Sequence, residues 1–174
     1  NWKMFGSLNS LNSLHKVLKF FKTFKKNKFI KIIYCPPSTL IRPMSKKLRN
    51  SRIEVGSQNC HENDNYGPYT GFVNSKMLKS VGAKYVIIGH SENRGTGETN
   101  KLINDKIKSA LRCGLKVIFC IGETIQEKRK KITKRILDRQ ISLGLKSIKN
   151  KKNIIIAYEP VWSIGTGLIP KSNE

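Results

Sequence analysis

Glu159 is the residue of this sequence best placed to do chemistry. It follows the run Ile154–Tyr158, which is β-branched and aromatic and too short for a helix, so the run predicts a strand buried on both faces. The segment 160–167 then fixes the backbone at Pro160, supplies a large anchor at Trp162 and ends in permissive glycines. Such a segment can act as a hinged lid, and a carboxylate that a lid removes from water becomes a stronger base. The pattern therefore predicts a catalytic strand end.

Two further polar residues share this kind of location. His90 follows the apolar run Tyr85–Ile88, and Lys3 would share this location if a strand preceded it. In a parallel barrel the reactive groups collect at the carboxyl ends of the strands, so the three residues can converge. Each also has an ordinary interpretation. Glu159 could be an exposed carboxylate in a salt bridge, His90 a core histidine satisfied by backbone groups, and Lys3 one of many surface lysines.

The elements that must position these residues alternate along the chain. Predicted strands cover 29–35, 52–58, Tyr85–Ile88, 117–121 and Ile154–Tyr158. Predicted helices cover 10–26, Ser38–Leu48, 75–81, 100–113 and 124–148, the last broken near Lys130. Alternating helices and continuous apolar strands favour an α/β fold, with a parallel sheet wrapped by helices. No linker or repeat interrupts the pattern, so we expect one domain over residues 1–174.

Five segments resemble signatures of the triosephosphate isomerase family, in the family's own order. They are 1–4 (Asn-Trp-Lys-Met), 56–59 (Gly-Ser-Gln-Asn), 85–92 (Tyr-Val-Ile-Ile-Gly-His-Ser-Glu), 120–123 (Cys-Ile-Gly-Glu) and 157–167, which resembles the catalytic strand and flexible loop. The resemblance implies a (β/α)₈ TIM barrel. Because such a barrel takes about 250 residues and this chain has 174, it implies an incomplete barrel with strands two to six, lacking the first strand and the C-terminal strands.

The resemblance also implies an activity, the interconversion of dihydroxyacetone phosphate and D-glyceraldehyde 3-phosphate in glycolysis and gluconeogenesis. In this family a glutamate base works with a neutral histidine electrophile, roles that fall to Glu159 and His90. Lys3 would stabilise the negative intermediate and hold the phosphorylated triose substrate. Asn1 would bind substrate beside it, and Gly165 would offer a lid amide to the phosphate. No metal and no organic cofactor is implied.

Two residues after His90 would support it. Ser91 and Glu92 are expected to open a turn or short helix whose amide groups favour the neutral imidazole. Glu92 would also lie near Lys3. The strand end around Cys120 and Glu123 is expected to be structural rather than catalytic.

The segment 63–71 is a polar loop dense in turn-forming residues. In the resembling family this loop reaches into a neighbouring subunit, which implies a homodimer for the complete protein, whereas the residues alone favour an ordinary βα loop. Four positions depart from the family pattern: Phe5, Phe72, Asn93 and Ser163. Phe72 replaces an acid and Asn93 replaces an arginine, which would weaken loop and subunit contacts.

The composition is strongly basic. The chain has 34 Lys and Arg against 11 Asp and Glu, a net charge of +23 and a pI near 10.2. The lysines are spread over the predicted helices without an aromatic-interleaved or zinc-finger pattern, so we expect a solvated surface or steering of an anionic substrate rather than nucleic-acid binding. The alternative function is a truncated, non-catalytic basic protein that binds nucleic acid or a protein partner.

The four cysteines are Cys35, Cys60, Cys113 and Cys120. They show neither CxxC pairing nor zinc spacing, and three lie in or beside apolar runs. We expect reduced, mostly buried thiols and a cytoplasmic location. The sequence has no apolar run of membrane-spanning length, so no membrane contact is expected.

Overall fold

The computed structural model describes residues 1–24 and 29–164. Its strands are β1 (Ile33–Tyr34), β2 (Glu54–Ser57), β3 (Tyr85–Ile88), β4 (Lys116–Ile121) and β5 (Ile154–Tyr158). Its α-helices are α1 (Leu14–Thr23), α2 (Ser38–Leu48), α3 (Ser75–Ser80), α4 (Ser91–Gly95), α5 (Asn100–Arg112), α6 (Ile125–Arg129) and α7 (Thr133–Gly144). Short 3₁₀ turns cover Leu8–Ser13 and Val161–Ser163.

The described strands form one sheet in the order β1-β2-β3-β4-β5, and every pair is parallel. Each strand therefore bonds to the next strand in the chain, with helices in the connections. This sequential parallel order is that of a β/α barrel. The α/β class and the incomplete barrel predicted from the sequence are confirmed.

The main core lies between the sheet and the helices that cover it. Val86 and Ile88 of β3 and Phe119 of β4 are fully buried, and they belong to one cluster with Ile103 and Ile107 of α5. A smaller cluster on the opposite face of the sheet contains Cys35, Ile87 and Cys120. Alternate residues of each strand thus pack on opposite sides, as the period of a strand requires.

Helix boundaries follow local hydrogen bonding. The first helix was predicted over 10–26, but the α-helix begins only at Leu14, after the 3₁₀ turn. The hydroxyl of Ser13 donates to the carbonyl oxygen of Ser10, and the Ser7 N–H donates to the hydroxyl of Ser10. Serine side chains that bond nearby backbone groups compete with α-helix formation. The end predicted at residue 26 lies outside the described residues.

The predicted break in the long helix is confirmed. α6 ends at Arg129 and α7 begins at Thr133. Between them Lys131 has a φ of +56°, in the left-handed region that a continuous α-helix cannot contain.

Among the helices of the described residues, none is both long and apolar enough to cross a bilayer.

The first predicted strand is shorter than expected. Only Ile33–Tyr34 of the predicted 29–35 pair with β2. Pairing begins at Glu54, because the chain before it turns at Ser51, whose hydroxyl accepts the N–H of Ile53. Before Ile33, the carbonyl oxygen of Ile32 still accepts the N–H of Glu54 at 2.9 Å, and the ladder of paired residues begins one residue later.

The prediction that Ile154–Tyr158 is buried on both faces is wrong. Ile155 is 46% exposed and Tyr158 is 53% exposed. In the described part of the chain β5 pairs with β4 alone, so it is an edge strand with one neighbour. The apolar composition indicated the strand correctly but not its surroundings.

A buried side chain on α5 closes the end of α7. The Asn104 amide donates to the carbonyl oxygens of Gly144, at 2.8 Å, and Lys146, at 3.0 Å. Carbonyls at a helix end lack partners within the helix. We predict that Asn104→Ala lowers the free energy of unfolding by about 1–3 kcal/mol, measured by urea denaturation. Lys101→Ala, on the same helix with its side chain 87% exposed, is the control, and equal losses in both variants would contradict the capping role.

Candidate active site

His90 lies at the carboxyl end of β3, immediately before α4. Its Nδ1 accepts the backbone N–H of Glu92 at 3.3 Å, so the ring caps the helix that follows it. An Nδ1 that accepts a hydrogen bond carries no proton, which places the proton of a neutral ring on Nε2. The ring is largely buried, and its Nε2 faces the next catalytic candidate.

Glu159 follows β5 directly. Its backbone N–H donates to the carbonyl oxygen of Ile121 at 2.8 Å, which extends the ladder between β4 and β5 by one residue. The carboxylate accepts the Ser91 N–H on Oε1 at 3.1 Å and the Ser91 hydroxyl on Oε2 at 3.3 Å. Oε2 also lies 3.4 Å from Nε2 of His90. The two candidates for acid-base chemistry are therefore neighbours.

Lys3 has a backbone conformation that is unusual for a residue with a side chain. Its φ is +52°, in the left-handed region. Three hydrogen bonds fix it: the Lys3 N–H donates to Oδ1 of Asn1, and the Gln58 amide donates to the carbonyl oxygens of Lys3 and Cys35. The ammonium then lies 2.7 Å from Oε1 of Glu92. This strained backbone conformation therefore directs the Lys3 side chain towards the site.

Glu92 joins Lys3 to the other two candidates. One oxygen contacts Lys3, and the other lies 3.6 Å from Nδ1 of His90. A continuous line of polar contacts therefore runs from Lys3 through Glu92 and His90 to Glu159. Such a set offers a base, a hydrogen-bond donor and a fixed positive charge, the parts needed to move a proton next to a carbonyl.

The remaining predicted site residues are placed as follows. Asn1 lies beside Lys3, and both line a cavity of about 670 Å³ together with His90 and Glu92. Ser91 contacts Glu159 directly. Gly165 lies outside the described residues. Glu159 does not line this cavity, since its carboxylate faces Ser91.

The ionisable groups of the site respond to their surroundings. The hydrogen bond from Lys3 holds the pKa of the Glu92 carboxyl below its usual value. Burial, together with the neighbouring Glu159 carboxylate, raises the pKa of the Cys120 thiol to about 12. Cys120 is therefore a protonated, inert thiol beside Glu159. All four cysteines are free, and only Cys113 is not fully buried.

Sequence reasoning missed Arg94. Its Nε donates to the carbonyl oxygen of Gly89, its Nη2 to that of Cys120 and its Nη1 to Oδ1 of Asn100. The guanidinium thus ties the ends of β3 and β4 together, and its burial lowers the pKa of the group. An arginine four residues after His90 was the available signal. Gly89 and Asn100 are near it in sequence, but Cys120, the partner on β4, is 26 residues away.

Glu123 was expected to be structural, and its contacts show what it supports. It is 1% exposed, and it accepts the indole N–H of Trp162 at 2.8 Å and the hydroxyl of Tyr158 at 3.1 Å. The Lys128 ammonium lies 3.5 Å from the centre of the Trp162 ring, on its face. Trp162, the aromatic residue that follows Glu159, is therefore anchored by a buried carboxylate and a cation.

Sequential parallel strands with polar side chains at their carboxyl ends define a β/α-barrel protein of the type whose active site lies at that end. The family model described as triosephosphate isomerase matches residues 1–174. The chain belongs to the triosephosphate isomerase family.

Named relatives agree. The chain is similar to triosephosphate isomerase of Carboxydothermus hydrogenoformans, with 45% identity over 79% of this chain and 56% of the relative. It is 41% identical to that of Dictyoglomus thermophilum over 100% of this chain and 70% of the relative. The crystal structure of triosephosphate isomerase from Bartonella henselae superposes with a TM-score of 0.86 and 39% identity, covering 93% of this chain and 66% of that one. The chain thus spans just over half the length of the first relative.

Removal of the Glu123 carboxylate should loosen Trp162. In a Trp2→Phe background Trp162 is the remaining tryptophan of the two in the sequence. We predict that Glu123→Leu shifts its emission to longer wavelength, because the indole loses its buried acceptor and meets water. Glu62→Leu, at a half-buried position away from the indole, is the control. Unchanged emission in the Glu123 variant would contradict the anchoring.

Proposed function

We propose that the whole protein is a triosephosphate isomerase that interconverts dihydroxyacetone phosphate and D-glyceraldehyde 3-phosphate. The observation that carries the proposal is the 3.4 Å contact between the Glu159 carboxylate and Nε2 of His90, at the carboxyl ends of β5 and β3. Family membership supports the same reaction.

In the proposed mechanism Glu159 removes a proton from the carbon next to the substrate carbonyl. The N–H at Nε2 of His90 donates to the carbonyl oxygen, which becomes negative as the proton leaves. The ammonium of Lys3 stabilises this enediolate. Glu159 then returns the proton to the former carbonyl carbon, and the hydroxyl proton of the neighbouring carbon passes to the former carbonyl oxygen by way of Nε2 of His90. One proton thus moves between the carbons and one between the oxygens, so the atoms balance without a cofactor.

The contacts of Glu159 imply a movement during the reaction. Its carboxylate accepts two hydrogen bonds from Ser91. These two bonds hold the carboxylate against Ser91, outside the cavity that Lys3 and Asn1 line. We infer that substrate binding draws the carboxylate off Ser91 towards the substrate carbon, where it meets fewer donors.

Substrate binding is assigned to the cations and amides around this centre. Lys3 and Asn1 line the same cavity and offer an ammonium and an amide to an anionic substrate. Gly165 is proposed as a phosphate-binding amide on the strength of the family resemblance of 157–167. A positive net charge of +23 favours the approach of a phosphorylated triose.

Replacement of Glu159 tests the mechanism. We predict that Glu159→Gln in the protein expressed from its whole gene lowers kcat by about 100-fold to 10,000-fold, since the amide cannot accept the substrate proton. The measurement is a coupled assay in both directions, with circular dichroism as the check on folding. Asp138→Asn, which also removes one exposed carboxylate, should retain full activity. Undiminished turnover of the Glu159 variant would refute the assignment.

We propose further that the whole protein is a homodimer formed through the loop 63–71 and Phe72, which follows it. Three large apolar side chains are exposed in this region. Phe72 lines the 670 Å³ cavity, and Met4 and Phe5 follow Lys3 in the chain. At the base of the cavity Glu98 and Lys106 form a buried ion pair, and Oε2 of Glu98 has no hydrogen-bond partner among the described residues. A loop from a second copy would cover the apolar surface and could supply the missing donor.

A charge at the loop should weaken this dimer. We predict that Phe72→Asp raises the dimer dissociation constant by at least about tenfold, measured by sedimentation over a range of concentrations. Phe20→Asp is a close match, because Phe72 is 63% exposed and Phe20, on α1, is 62% exposed. Equal weakening by both variants would show that the loop is not the interface.

A cytoplasmic location is also proposed. It is supported by four free cysteines, since thiols persist in reducing compartments. Cell fractionation with an antibody to the chain tests it. No feature of the described residues favours the alternative of a nucleic-acid-binding protein over the isomerase.

A further inference from the structure

A second cavity lies on the face opposite the active site, at the amino ends of the strands. Its volume is about 510 Å³, and its wall is formed by the chain after α2, the starts of β2 and β4 and the turn before β3. Leu48, Ile53 and Ala83 are buried residues at its base. The volume falls within the range of about 300–1,000 Å³ that small-molecule sites occupy.

The charges of this cavity are unbalanced. Four cationic side chains line it against a single carboxylate, that of Glu54. The cations are Arg49, Lys79, Lys84 and Lys116. An apolar base with a cationic rim suits an anion that carries an organic body.

Two of these cations already have partners. Lys84 lies 3.4 Å from Oε1 of Glu54, and Lys79 donates to the carbonyl oxygen of Cys113 at 2.7 Å. The side chains of Arg49 and Lys116 form no hydrogen bond or ion pair with any described residue, although the Lys116 ammonium lies 5.5 Å from the centre of the Tyr85 ring. Their donors are therefore available to a ligand.

Glu54 would repel an anion if its charge were not already neutralised. Lys31 lies 3.5 Å from its Oε2, and Lys84 contacts the other oxygen. Burial alone would raise the pKa of Glu54, but the hydrogen bond from Tyr85 and the two lysines outweigh it and hold the pKa below its usual value. The carboxylate is thus an ionised partner of two ammonium groups, and the cavity keeps a positive excess.

We propose that this cavity binds a phosphorylated organic anion of nucleotide size, with Arg49 and Lys116 as the phosphate-binding residues. The guanidinium of Arg49 can donate to two phosphate oxygens side by side, and Lys116 adds a point charge. The site lies on the opposite end of the barrel from His90 and Glu159, so it is separate from the proposed substrate site.

Isothermal titration of the full chain with magnesium-free ATP at low salt tests the proposal. We expect saturable binding that Arg49→Gln with Lys116→Gln weakens by roughly tenfold or more. The matched control is Arg129→Gln with Lys130→Gln, which removes the same two charges from exposed positions at the end of α6. The control should bind ATP like the unmodified chain.

Two further titrants identify what the site recognises. Pyrophosphate should bind and adenosine should not, because the proposed contacts are to phosphate. The conservative pair Arg49→Lys and Lys116→Arg should keep most of the binding, which protects the test if the glutamine variant fails to fold. The proposal would be overturned if ATP did not bind, if the matched control lost as much binding, or if the glutamine variant bound ATP as well as the unmodified chain. Binding of adenosine without binding of pyrophosphate would also overturn it.

Discussion

The parallel ladder through β3, β4 and β5 sets the spacing of the groups at the candidate active site. Neighbouring strands lie about 4.8 Å apart, and β4 separates the strands that carry His90 and Glu159. Gly122, at the end of β4, lets the backbone of Glu159 lie close to it, because a Cβ at this position would collide with the carbonyl oxygen of Glu159. The side chain of Gln140 bonds both the N–H and the carbonyl oxygen of this glycine, which fixes it in place.

Long polar side chains fix the parts of the site that the β-ladder does not position. Arg94 joins the ends of β3 and β4, and Gln58 joins the Lys3 segment to the end of β1. A left-handed backbone at a residue such as Lys3 costs about 1–3 kcal/mol. The hydrogen bonds of Gln58 and Asn1 offset that strain and leave the ammonium beside Glu92. The geometry of the site therefore depends on residues that would not themselves touch a substrate.

The sequence predicted most of this fold because its strands carry strong local signals. Tyr85–Ile88 is a strand with the predicted bounds, since four consecutive apolar residues between turns allow little else. The break predicted near Lys130 lies between α6 and α7. The predictions that failed concern properties that depend on neighbouring segments of the chain. The length of β1 depends on a turn before β2. The exposure of β5 depends on which strands lie beside it. Neither property can be predicted from the residues of the strand itself.

The same distinction applies to the site. Runs ending at His90 and Glu159 indicated which groups could converge, because carboxyl ends of parallel strands share one edge. The 3.4 Å contact between them, and the attachment of Glu159 to Ser91, depend on side-chain geometry that spacing does not determine. Arg94 and the Trp162 anchor on Glu123 were missed for this reason, since their partners lie up to 39 residues away.

The sequential order of the strands has a consequence for how the chain acquires its structure. Because every described strand pairs with its predecessor, each new strand can add to a sheet that already exists as the polypeptide emerges from the ribosome. Contacts between consecutive strands also keep loop closure short, which favours rapid pairing. Glu159 follows the last of these strands, so His90 and Lys3 are in place before the carboxylate arrives. During synthesis the base is the final of the three groups to join the site.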